Sequence, residues 1–174
     1  MYLNINDLDS FSFAIIGCSI VDIKDYLEKQ DYDYLIKYEE IDIGCYYFQN
    51  MFLMPIKGTA KGLFYNPVIA TNLTVLLGNG RSAWGTLCNN ISSNLSVCNL
   101  QIEFNTKNSD VIRNQMTVFD GSKKIRVIQN YLGDNNKMEF VNGGKPLWFE
   151  DIEYYKKRKI WDRINKDILI EYAK

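Results

Sequence analysis

The 174 residues predict a single α+β domain with a mainly antiparallel sheet and flanking helices. Three observations lead there. A composition that is 47% hydrophobic and 14% aromatic supplies the apolar surface for one sizeable core. Short apolar runs joined by Asp-Gly, Asp-Asn and Asn-Gly signals fill residues 114–145, the pattern of strands connected by tight turns. Stretches of helical periodicity stand on both sides of those runs, and no internal repeat, linker or low-complexity tract divides the chain, so residues 1–174 read as one domain.

Taken in order, "SFSFAIIG" at 10–17 predicts a first strand and "SIVDIKDYLEK" at 19–29 a helix. Ser19 is its expected N-cap, with Asp22 at N3 in place of the usual Glu of a capping box, and Ile20, Ile23 and Leu27 form its apolar face. "DYDYLIKYEEIDIG" at 31–44 reads as a short helix or an irregular connection, and "CYYFQNMFLMPI" at 45–56 as a long buried strand ended by Pro55. A strand is expected at 72–77, then a glycine turn, then a helix from near Ser82 whose Trp84, Leu87, Ile91 and Leu95 make one apolar stripe. "LQIEF" alternates, with Leu100, Ile102 and Phe104 on one side. "QMTVFD", "KIRVIQNYL" and "KMEFV" predict a three-strand antiparallel meander. After Pro146 two helices are expected, about 150–163 and about 165–172, the second capped by Asn165. On the first, a spacing of 100° per residue aligns Lys156, Lys159 and Arg163 as a solvated basic ridge opposite Tyr154, Trp161 and Ile164, with Glu153–Lys157 and Arg158–Asp162 as i,i+4 pairs.

The composition excludes much chemistry. With no histidine, histidine-dependent triads, Cys-His nucleophiles and mixed Cys/His zinc sites cannot form within the chain. Cysteines 18, 45, 88 and 98 contain no C-x-x-C and read as reduced, mostly buried thiols. No residue presents itself as catalytic or metal-binding, and no cofactor is expected; the chain reads as a non-enzyme. One motif carries an alternative: Gly78, Gly80 and Ala83 satisfy G-x-G-x-x-G/A between a strand and a helix, with Glu103 sought as a ribose-binding acid. That would make a small nucleotide-binding enzyme, although the antiparallel pattern that follows lacks the βαβ units such a fold requires.

Charge points elsewhere. The total of 20 basic and 21 acidic residues gives a net charge of -1, which argues against nucleic acid and membrane as partners. Residues 1–50 hold 3 Lys and 10 Asp or Glu, however, for a local net charge of -7. The apolar stretch at 13–21 is too short for a bilayer span, and a cytoplasmic location is expected. Within the acidic third, Asp22, Asp25, Asp31, Asp33, Glu39, Glu40 and Asp42 lie among Tyr32, Tyr34 and Tyr38. Acids steer a basic partner and tyrosines bury area while keeping a hydrogen bond, so these ten residues are the expected partner-binding surface.

The tail "GGKPLWFEDIEYYKKRKIWDRINKDILIEY", with the earlier "SAWGTLCNNISSNL" helix, resembles the ending of small bacterial immunity proteins of contact-dependent inhibition and other polymorphic-toxin systems. The resemblance implies a cytoplasmic, non-catalytic protein that neutralises a cognate toxin domain, often a basic nuclease. It carries no family site residues. A structural subunit of a phage or secretion assembly is the remaining alternative.

Overall fold

The computed structural model describes residues 10–30, 62–78, 84–105 and 112–173. They form seven strands, β1 (Ser10–Ile16), β2 (Gly62–Tyr65), β3 (Thr74–Gly78), β4 (Cys98–Asn105), β5 (Arg113–Asp120), β6 (Lys123–Leu132) and β7 (Met138–Gly144), and three α-helices, α1 (Ile20–Lys29), α2 (Gly85–Leu95) and α3 (Lys166–Tyr172). The strands make one sheet in the order β2-β3-β1-β4-β5-β6-β7, antiparallel at every pairing. The domain is thus α+β with an antiparallel sheet. The up-and-down run covers four consecutive strands, β4 to β7, rather than three. The segments expected as a short helix or irregular connection at 31–44 and as a strand at 45–56 lie outside the described residues.

Strand periodicity divides the core in two. Phe11, Phe13 and Ile15 of β1 point to one face, with Ile102 and Phe104 of β4, Met116 of β5 and Ile128 of β6. The C-terminal residues Tyr155, Ile164, Ile168, Leu169 and Tyr172 cover them. Ala14 and Ile16 point to the other face, where Ile23 and Tyr26 of α1 and Cys88 and Ile91 of α2 seal them. β1 lies between β3 and β4 and is antiparallel to both, so those two strands run parallel to each other with α2 linking them in sequence.

α1 begins where its cap predicts. Ser19 accepts a hydrogen bond from Asp22 N while the Asp22 carboxylate accepts from Ser19 N at 3.0 Å and Oγ at 2.6 Å. α2 starts later than expected, at Gly85, with Trp84 as its cap residue, and Ser82 falls outside the described residues. The expected stripe faces the core, with Ile91 buried and Trp84, Leu87 and Leu95 packed against the same cluster, and Cys88 and Ser92 join it as buried residues.

The helix expected over about 150–163 does not form. Two 3-10 turns stand there, Tyr154–Lys156 and Ile160–Asp162, separated by Lys157 at ψ 143° and Lys159 in an extended conformation. The reason is packing. At 100° per residue a continuous helix would put Tyr155 and Ile164 on opposite sides, yet both are buried in the same core. The basic ridge through Lys156, Lys159 and Arg163 therefore has no helical basis. The ion pair is also different: Glu153 meets Lys156 at 2.5 Å rather than Lys157, because 3-10 geometry brings i and i+3 together. α3 does form, capped by Asn165, whose side chain accepts from Ile168 N at 3.1 Å.

A buried ion pair holds this C-terminal segment to the sheet. Arg126 occupies an inward position on β6 beside Ile128, and its partner Glu150 comes from the connection after β7; both side chains are fully buried. Arg126 Nε and Nη2 donate to the Glu150 carboxylate at 2.8 and 2.6 Å, and Nη1 donates to Asn142 Oδ1, Gly143 O and Gly144 O. Glu150 also accepts from Leu147 N at 2.9 Å and from the Tyr155 hydroxyl at 2.8 Å. Burial works against the Arg126 charge, but hydrogen bonding to Glu150 and its negative charge outweigh it and raise the guanidinium pKa. Burial, with the hydrogen bonds to Tyr172 and Glu150, holds the Tyr155 phenol far above the ordinary tyrosine range. Gly144 lets the chain double back: its φ is +82°, and a Cβ there would collide with the Ile125 carbonyl.

Removing one partner of this pair strands the other in the core. Arg126→Ala and Glu150→Ala should each lower stability by about 3–5 kcal/mol in urea unfolding, with Arg126→Met plus Glu150→Leu recovering part of it. Single variants with the parent's unfolding midpoint would show that the pair does not hold the segment.

Candidate functional site

The most distinctive surface lies where the β2–β3 loop meets the start of α1. The loop "NPVIATN" at 66–72 is tied down from within: Asn66 Nδ2 donates to Thr71 O at 2.9 Å and Leu73 O at 2.6 Å, while Ala70 N donates to Pro67 O and Leu73 N to Ala70 O, both at 3.0 Å. Asn66 Oδ1 also accepts from Ile20 N at 3.2 Å, which couples the loop to the first turn of α1. Thr74, fully buried, donates to Cys18 O at 2.8 Å and fixes the chain just before that helix.

This bracing displays apolar side chains to solvent. Val68 is 95% exposed, Ile69 98% and Val21 on α1 62%. At the entrance of α1 a cleft of about 400 Å³ is lined by Gly17, Cys18, Ser19, Asp22, Asn72, Leu95 and Val97. Three large β-branched residues held in water on a hydrogen-bonded scaffold are an unfavourable arrangement for an isolated domain. They are a favourable one for a surface that docks, because the ordering cost has been met before binding.

Acidic residues flank Val21 on α1. Asp25 follows Val21 by four residues on the exposed side of α1, and Asp22 lies on the same turn. The side-chain hydrogen bond from Ser19, helped by the Ser19 backbone N–H, lowers the Asp22 pKa, so this carboxylate stays ionised while it caps the helix. The other expected binding residues, Asp31, Tyr32, Asp33, Tyr34, Tyr38, Glu39, Glu40 and Asp42, lie outside the described residues. Val21, Val68 and Ile69 were not anticipated from sequence. The signal was there: an apolar pair bracketed by Asn-Pro and Thr-Asn turn residues cannot belong to a strand interior.

Gly78, the first glycine of the motif considered for nucleotide binding, packs against the protein's own indole. The space that a Cβ on Gly78 would fill is taken by the indole of Trp84, so this glycine accommodates the protein's own side chain. Gly80 and Ala83 lie outside the described residues. Glu103 lies on β4, separated from β3 by β1, opposite Ser12 and Gln115. The pocket next to the indole, lined by Ser12, Gly78, Trp84, Gln101, Glu103 and Gln115 among others, holds about 60 Å³. Ligand sites for small molecules run from about 300 Å³ upward.

Among the described residues no group of three His, Cys, Asp or Glu side chains is placed to hold a metal ion, and no helix is long and apolar enough to cross a membrane. Cys18 and Cys88 are buried and free, and Cys98 is free and exposed; Cys45 lies outside the described residues. Burial first, and the Asp22 charge second, push the Cys18 thiol up to about 11, and burial pushes Cys88 up to about 12. The chain matches no family model, no curated protein and no solved structure.

Two outcomes follow from this geometry. Gly78→Ala should displace the Trp84 indole, changing its fluorescence and costing about 1–3 kcal/mol of stability, while titration of the parent with ATP or NAD should give no saturable signal. Binding lost in Gly78→Ala would instead restore the nucleotide reading. The thiols make a pH prediction. Because folding raises both pKa values above the ordinary 9.0, their stabilising contribution is complete below about pH 9 and is lost as pH rises through about 11 to 12. Cys88→Ala should therefore lose less stability than the parent across that interval in urea titrations; equal losses would contradict the assignment.

Proposed function

We propose that this protein is a non-catalytic, antitoxin-like immunity protein that binds and neutralises a cognate toxin domain of basic character. The observation that carries the reading is the braced, solvent-exposed trio Val21, Val68 and Ile69 beside the carboxylates Asp22 and Asp25. An apolar centre with an acidic margin suits a partner with an apolar socket rimmed by lysine or arginine: the centre supplies affinity and the margin speeds and orients the encounter. Asp31, Asp33, Glu39, Glu40 and Asp42, with Tyr32, Tyr34 and Tyr38, extend the acidic margin in sequence. The small volume beside Trp84 and the absence of histidine favour binding over catalysis.

The test joins capture to protection. The tagged protein, passed through lysate of its source, should retain one basic protein in equimolar amount. That protein should be toxic when expressed alone and harmless when coexpressed with its captor. Val68→Glu with Ile69→Glu should weaken the complex about a hundredfold and abolish protection, whereas Asp25→Lys should mainly slow association and reduce its salt dependence. A captured protein without toxicity, or a complex indifferent to all three substitutions, would refute the proposal.

A further inference from the structure

A separate feature lies at the opposite edge of the sheet from β2. Among the described residues β7 is the last strand, paired only to β6. Which of its backbone groups are free follows from the hydrogen-bond phase. Leu132 N donates to Ile112 O at 3.2 Å, so the even-numbered residues at this end of β6 face β5; Gly133 N donates to Lys137 O at 2.9 Å, so the odd-numbered ones face β7. With Tyr131 opposite Glu139 and Gln129 opposite Val141, Glu139, Val141 and Gly143 bond inward. Met138, Phe140 and Asn142 therefore turn their N–H and C=O groups away from the sheet.

Edge strands are ordinarily guarded by lysine, proline, a bulge or a covering loop. Met138–Gly144, "MEFVNGG", contains neither lysine nor proline, and no break in register interrupts its pairing. Its one charge, Glu139, is drawn back onto its own sheet by the Tyr131 hydroxyl at 2.5 Å. The two ends of the strand also carry exposed apolar groups. Leu132, 39% exposed, stands beside Met138 at the hairpin end. Trp148, 95% exposed, stands just past the exit. Its backbone is not loose: Glu150 N donates to Leu147 O at 3.0 Å, the Glu150 carboxylate accepts from Leu147 N, and Phe149 packs between Trp148 and Tyr172 with ring centroids 5.6 and 5.8 Å away.

We propose that β7 is a self-association edge, through which two copies of this chain pair antiparallel about a two-fold axis and continue one sheet across both. The features are self-complementary in that arrangement. An axis through Phe140 sets Phe140 against its counterpart and Met138 against Asn142 of the second copy, which gives every outward N–H and C=O of those residues a partner. Glu139 then faces Val141 and Lys137 faces Gly143, so no like charges oppose. A two-fold perpendicular to the sheet keeps the same face outward in both copies, and Leu132 shares that face with Ile128 and Arg126. Each Trp148 is thereby brought toward the Leu132 and Met138 end of the other copy, and Lys145 toward the exposed Asp134 of its turn. Apolar and charge contacts are both made twice, as an isologous interface requires. This surface is distinct from the α1 and β2–β3 loop surface and does not depend on how that one is used.

Sedimentation across a micromolar to millimolar series tests the assignment with the full chain. The parent should pass from monomer to twice the chain mass. Met138→Pro removes an outward N–H at the first residue of the strand, where proline is tolerated and no bond to β6 is lost, and should weaken dimerisation about tenfold or more. Asp134→Lys or Lys145→Asp should weaken it as well, and the double variant should recover most of the loss, a rescue that general destabilisation would not produce. Trp148→Ala should reduce dimer without altering the circular dichroism of the monomer. A parent that stays monomeric throughout, or a dimer unaffected by Met138→Pro and by the charge exchange, would overturn the proposal.

Discussion

The buried pair of Arg126 and Glu150 organises everything that follows β6. A guanidinium inside a core costs several kcal/mol of lost hydration and persists only if its donors are used and its charge is met. Here the carboxylate takes one side of the fork, and the side chain of Asn142 with the carbonyls of Gly143 and Gly144 takes the rest. Those acceptors sit at the end of β7 and in the connection beyond it, so meeting the charge determines the path of the chain. Leaving β7 through the positive φ of Gly144 and returning over β6 is the route that brings Glu150 to Arg126. Tyr155 then lands on the same carboxylate, its hydroxyl 3.1 Å from that of Tyr172, and α3 is seated over Phe104 and Ile168 becomes core. Such a pair adds little to stability compared with apolar residues of equal volume.

The opposite face is built from local and ordinary interactions, and it carries the exposed apolar residues proposed as a docking surface. α1 and α2 close over Ala14 and Ile16, with Thr74 and Asn66 joining the β2–β3 loop to the entrance of α1. That side can thus hold apolar residues in water without a disordered tip. A charged, solvated helix and a rigid apolar loop come together because β3 and β1 are neighbours in the sheet, although more than 40 residues separate Val21 from Val68 in sequence.

What was legible in sequence divides along the same line. Local signals sufficed for β1, for α1 with its Ser19 and Asp22 box, for the alternation of Leu100, Ile102 and Phe104, and for the turn-linked strands after Asn114. The segment from Glu150 to Arg163 was misread as a helix because its hydrophobic spacing fits one, while its conformation is decided by a partner 24 residues earlier on another strand. Arg126 held the clue: an arginine on the inward parity of "KIRVIQNYL" demands a buried acid. Of the acidic residues singled out from composition, Asp22 and Asp25 stand on an exposed helix face. The exposure of Val68 and Ile69 depends on how the loop is held, which composition does not encode. In the glycine motif Gly78 is approached closely by an indole, and a close-approach glycine serves an indole as well as a phosphate.

Native-state hydrogen exchange on Glu150→Gln is the most direct measurement of whether one buried pair governs the C-terminal segment. The account predicts that the amides of Leu147, Tyr155 and Leu169 lose protection together, by a common factor, while those of Phe13, Ile102 and Met116 keep theirs. Uniform loss across the sheet, or unchanged protection in the C-terminal segment, would contradict it and return the path of residues 145–173 to apolar packing alone.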